Sequence, residues 1–137
     1  MVMSIMENII IISSQTGELN INFDQALKVE NRRIALLSIA HSNTRRRAKR
    51  VPKDGTLGDT ALIYCDVVKE KTFVNNTQQR CLDFLIINEM SNSVEIQNPI
   101  YHELRVNELM SINIQIRRLN GELFDFSDFV IVKLALK

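Results

Sequence analysis

Ser111-Ile112-Asn113-Ile114-Gln115-Ile116-Arg117-Arg118-Leu119 alternates apolar and polar side chains. A period of two puts Ile112, Ile114 and Ile116 on one face of a β-strand and Asn113, Gln115 and Arg117 on the other. Asn120-Gly121, a strong turn dipeptide, follows at once. Beyond it Phe129 to Lys137 alternates again, with Val130, Val132, Leu134 and Leu136 on one face. Working back toward the start, Glu18 to Phe23 sets Leu19, Ile21 and Phe23 against Asn20 and Asn22. Arg33 to Ala40 is almost continuously apolar, as expected of a strand covered on both sides or sitting at a subunit contact. Ala61 to Val68, Leu82 to Asn88 and the short Val94 to Gln97 read as further strands, and Tyr101 to Val106 as extended chain. Asn8 to Ser13 opens the series and runs into the turn cluster Ser13 to Gly17. No segment reads as a convincing amphipathic helix.

About eight short antiparallel strands in a chain of this length suit a two-sheet β-sandwich, and the eight-stranded member of that class is the jelly roll. The expectation is an all-β, single jelly-roll domain over residues 1–137. An immunoglobulin-like sandwich is the structural rival, but the Cys…Trp…Cys pattern of that fold is missing from a chain with no Trp. The 137 residues are 45% hydrophobic and 24% charged, enough for one core without staples.

The charge is unevenly distributed. Arg45, Arg46, Arg47, Lys49 and Arg50 place five of the 17 basic residues in a run of six. The rest of the chain, with 12 basic residues against 16 acidic, is mildly acidic. The run sits in a segment, 43–56, that ends in Val51-Pro52-Lys53-Asp54-Gly55 and reads as a basic surface loop. Four readings of it compete: sequence-independent contact with phosphates, a nuclear import signal, a dibasic protease site, and a solvated loop whose charge deters misassembly. No aromatic residue interleaves the run, which argues against stacking on single-stranded bases.

Catalysis has little to stand on. His41 and His102 lie far apart in sequence with no motif around either, and neither CxxC nor HxxxH spacing occurs. Glu122, Asp125 and Asp128 read as a solvated turn. A glycine-rich phosphate loop is not found among the four glycines. Cys65 and Cys81 fall in strand-like apolar surroundings and read as two reduced thiols. The expectation is a non-enzymatic chain with no cofactor and no metal. No apolar run reaches the roughly 20 residues of a membrane-spanning helix. The opening Met1 to Ser14 lacks the basic start of a signal peptide, so synthesis in the cytoplasm is expected.

Several segments together resemble a known family. Gly17-Glu18-Leu19-Asn20-Ile21-Asn22-Phe23, followed by Ala35-Leu36-Leu37-Ser38-Ile39-Ala40-His41-Ser42-Asn43, resembles the opening of the minor capsid proteins of Polinton/Maverick-type elements and adintoviruses. Leu62-Ile63-Tyr64-Cys65-Asp66-Val67-Val68 is similar to that family's "xxYCDLI" strand, and Asn98-Pro99-Ile100-Tyr101-His102-Glu103-Leu104 to its "NPxYxPV" segment. The stretch from Ile112 through Gly121 and Phe126 to Leu134 is similar to the family's closing strands. Two positions depart: His41 stands where the family often has an aromatic residue, and Ser127-Asp128 replaces a glycine. The resemblance implies a penton-type jelly roll, viral or domesticated by a host. Its implied partners are further copies of itself in a pentamer, a major capsid protein, and nucleic acid through the basic loop. The implied location is a virion or capsid-like particle, with import into the nucleus as one route. The rival function is a monomeric β-sandwich that recognises a ligand or receptor. Sugar-binding sandwiches display exposed aromatics, whereas most Phe here fall on alternating faces that read as buried.

Overall fold

The computed structural model describes residues 8–43, 59–74, 76–88 and 92–137. Eleven strands occupy them: β1 (Asn8–Thr16), β2 (Glu18–Lys28), β3 (Arg33–His41), β4 (Asp59–Cys65), β5 (Thr72–Val74), β6 (Thr77–Gln79), β7 (Cys81–Ile87), β8 (Ser93–Glu95), β9 (His102–Glu103), β10 (Glu108–Arg118) and β11 (Asp125–Leu136). No helix occurs among the described residues. One sheet has the order β1-β11-β3-β8, with β9 also on β3, and the other has the order β2-β10-β4-β7. Every described pairing within them is antiparallel.

This order is that of a jelly roll. The chain alternates between sheets at β1, β2, β3 and β4, remains in the second sheet for β7, and alternates again through β8, β10 and β11. The first and last strands therefore lie side by side, with Asn8 opposite Leu136. Counting β8 and β9 as one interrupted strand gives the eight strands expected. The interruption spans Asn98-Pro99, and Pro cannot donate to a ladder. The structure adds a β5–β6 hairpin, whose second strand falls in Asn75 to Arg80, a stretch that reads from sequence only as polar chain between strands.

The alternating faces meet as the period-two spacing requires. Ile112, Ile114 and Ile116 of β10 are fully buried against the layer of Val130, Val132, Leu134 and Leu136 from β11. Burying each such side chain contributes roughly 2 kcal/mol. Leu19 is also fully buried, and Ile21 and Phe23 pack partly buried on the same core. β3 is central, between β11 and the β8/β9 pair, and its Ala35 and Leu36 are both inaccessible. That is the covered strand its apolar run implies.

Gly17 is where the two sheets are joined. Its amide donates to the Phe124 carbonyl at 2.7 Å, and its carbonyl accepts from the Ile116 amide at 2.6 Å. At Gly121 the turn between β10 and β11 takes a φ of +90°, which a glycine adopts without a Cβ penalty.

Candidate functional site

Arg45, Arg46, Arg47, Lys49 and Arg50 lie outside the described residues, but the two feet of their segment are described. On one side Ser42 ties the end of β3 to β11. Its Oγ accepts from the amides of Asp128 (2.8 Å) and Phe129 (3.0 Å), and its own amide donates to the Phe129 carbonyl. The Ser127 amide donates to the Asn43 carbonyl at 2.8 Å. On the other side Asp59 accepts from Arg118 Nη1 at 2.5 Å, and the Arg118 guanidinium lies over the Phe124 ring. A charged bond to a largely covered arginine is stronger than an exposed pair. The described residues that flank 44–58 are thus fixed at one end of the sandwich.

The two histidines do not meet. His102 pairs opposite Ile34 and His41 ends the same strand β3, which separates them by about 23 Å of extended chain. His102 Nε2 hydrogen-bonds the Leu82 carbonyl at 2.7 Å. Buried His41 donates from Nδ1 to the Ser42 carbonyl and packs on Phe126, leaving Nε2 without a partner among the described residues. Glu122, Asp125 and Asp128 are all exposed. Among the described residues no three His, Cys, Asp or Glu side chains converge as metal ligands would.

Cys65 and Cys81 are free and buried. Burial pushes the Cys65 thiol up to about 12, and burial also raises Cys81. Both stay protonated at neutral pH, and the thiolate is the reactive form. Native protein is therefore expected to resist alkylation at pH 8 for hours, whereas protein unfolded in guanidinium takes up two equivalents of reagent within minutes. Prompt labelling of the folded chain would contradict the buried placement of these strands.

The outer surfaces are unexpectedly apolar in two places. On the first sheet, Ile9 and Ile11 of β1 are 47% and 61% exposed, and Phe129 and Ile131 of β11 are 40% and 36% exposed. Ile11 lies opposite Lys133 and Ser13 opposite Ile131, so Ile11 and Ile131 are diagonal neighbours on one face. On the second sheet, Phe84 and Ile86 of β7 are 67% and 50% exposed. Phe84 lies opposite Leu62 and Ile86 opposite Thr60. Polar pairs also stand on that sheet, with Asn113 Nδ2 donating to Asn20 Oδ1 and Arg117 Nε to Gln115 Oε1.

These patches correct the expectation that most phenylalanines are buried: Phe124 and Phe126 are, and Phe84 and Phe129 are not. The signal was present in Ile9-Ile10-Ile11-Ile12 and Leu82 to Ile87, where both parities are apolar and only one can face the core. Both patches lie along sheet edges, since β1 ends one sheet order and β7 the other. β1 continues through Gly17 into β2, the opposite edge of the second sheet from β7. The two patches therefore occupy opposite flanks of the sandwich.

In comparisons with known proteins, no family model, no curated protein and no solved structure matches the chain. Its functional reading rests on this geometry and on the sequence resemblance given above.

Proposed function

We propose that the chain is a non-enzymatic structural subunit that assembles head to tail with copies of itself into a closed ring, as a penton-type component at the vertex of an icosahedral shell. The observation that carries this reading is the pair of exposed apolar patches on opposite flanks, Ile9/Ile11/Phe129/Ile131 on one and Phe84/Ile86 on the other. Exposed edge strands of this character invite pairing. Two different surfaces that fit one another generate a ring when the rotation closes. The resemblance to Polinton-type minor capsid proteins supports the choice of a pentamer, with a major capsid protein as the neighbouring partner and a virion or capsid-like particle as its location.

The test is the solution mass of nuclease-treated protein by light scattering after size exclusion, over a salt series. A discrete species near five times 15.8 kDa, or a larger shell, is expected. A monomer at every salt concentration would instead favour a recognition module, in which Phe84, exposed on its edge strand, is the stacking surface.

Within this reading the basic loop contacts the genome or directs nuclear import. Replacing Arg45, Arg46, Arg47, Lys49 and Arg50 by Ala is expected to leave thermal unfolding unchanged. Affinity for nucleic acid should fall, with a flatter salt dependence. Unchanged binding by the variant would remove the phosphate-contact role.

A further inference from the structure

At the end of the sandwich remote from the root of the loop, four laterally adjacent segments align Lys137, Arg33, Glu103 and Lys69. Lys137 and Arg33 exchange both backbone hydrogen bonds at 2.8 Å, Arg33 is in register with Glu103, and the Lys69 amide donates to the Glu103 carbonyl at 3.1 Å. With neighbouring strands about 4.8 Å apart, the row is roughly 14 Å long. Lys69 Nζ and Lys71 Nζ reach Glu103 Oε2 at 3.0 and 3.3 Å, and Arg33 approaches Oε1 at 4.0 Å. Hydrogen bonds from the two lysines hold the Glu103 carboxyl below the usual carboxylate range. It remains ionised at neutral pH, and three cations share it, while the Lys137 ammonium at the end of the row lies over the Tyr101 ring, 5.3 Å from its centroid. Beside the row lies an open cleft of about 490 Å³, lined by Glu30, Asn31, Arg33, Lys69, Glu103 and Asn107.

Stability does not account for this arrangement. Like charges placed directly opposite in adjacent strands, as Lys137 and Arg33 are, destabilise a sheet. The ion pairs to Glu103 involve half-exposed side chains, and such pairs contribute about 0–1 kcal/mol. Outside the loop the chain is net acidic, so a local excess of cations here is a departure from its background. We infer that this end of the sandwich is a second, sequence-independent binding site for the phosphate backbone of a nucleic acid. In it Arg33, Lys69, Lys71 and Lys137 contact successive phosphates, and Glu103 holds the lysines in place until phosphate replaces it. Arg33 and His41 mark the two ends of β3. The site therefore stands about 26 Å from the root of the basic loop, and it does not depend on whether the subunit forms a ring.

The test uses nuclease-treated full chain and a fluorescent 20-nucleotide oligothymidylate, read by anisotropy between 50 and 200 mM salt. The background is the variant in which all five loop cations are Ala. That background is expected to retain measurable affinity. Adding Lys69→Gln and Lys71→Gln should weaken it at least tenfold and reduce the slope of log affinity against log salt by about 1.4, two phosphate contacts on a single strand. Glu103→Gln should tighten binding about threefold, whereas Asp24→Asn, the same change of charge on an exposed part of β2, should not. Absence of binding in the loop-less background would overturn the inference. So would unaltered slope and affinity in the double lysine variant, or equal tightening by Asp24→Asn.

Discussion

Replacing Gly17 by alanine is expected to destabilise the protein by about 3 kcal/mol, among the larger effects of a single substitution. An added Cβ would overlap the Ile116 carbonyl oxygen, and it would press on the backbone N and O of Phe124 at 3.0 and 3.1 Å. All three are main-chain atoms, so no rotamer change relieves the contact. The same backbone groups carry the bonds that close this corner: Gly17 to Phe124, Ile116 to Gly17, and Phe124 to Ile116. Any shift that makes room for the methyl group lengthens them. The loss falls where β1, β2, β10 and the approach to β11 converge, so it weakens the join between sheets rather than one strand. For a domain of this size the fall in Tm is about 10 °C. Gly121→Ala is the comparison. Its Cβ would meet nothing, but φ is +90°, so only backbone strain of order 1 kcal/mol is expected. Equal melting of Gly17→Ala and the parent would mean that the corner is not packed as described.

The contrast between these glycines also shows where sequence is informative. Gly121 announces itself in Asn120-Gly121, because the requirement is local. Nothing local distinguishes Gly17 from an ordinary turn glycine, since what excludes a side chain is the backbone of residues about a hundred positions later. Strands with one apolar parity, such as Ser111 to Leu119, were legible with their facing because the core selects that parity. β5 and β6 were not, since strands of three residues carry no core face long enough to show a period. β1 continues through Ser13 and Ser14 to Thr16, beyond its apolar run, because pairing with β11 extends the ladder past a bulge. Where both parities are apolar, as in Ile9 to Ile12, alternation could not say which side faces solvent. The basic loop was legible as charge alone. The cluster of Arg33, Lys69, Lys71, Glu103 and Lys137 was invisible, because its members are scattered over more than a hundred positions and only the strand order collects them.

Disrupting either flank is expected to dissociate the assembly into monomers without unfolding it. Phe84→Lys with Ile86→Lys removes one patch and Ile11→Lys with Ile131→Lys removes the other. These side chains already face solvent by a third to two thirds of their area, so thermal stability should change by less than about 1 kcal/mol. Apolar anchors at the centre of an interface cost about 2 kcal/mol each or more when lost. Two per interface weaken association on the order of a thousandfold. The decisive step is to mix the two variants. In a head-to-tail arrangement each retains the surface that the other lacks, so the mixture should form a species of twice 15.8 kDa and stop there, with no free complementary surface left. In an isologous arrangement one patch meets its own copy. One variant would then stay oligomeric alone, and mixing would create nothing new. Variants that both remain rings, from a parent that is a ring, would place the interface elsewhere. The heterodimer is thus the outcome that separates a closed ring built from two flanks of one sandwich from every arrangement that uses a single face.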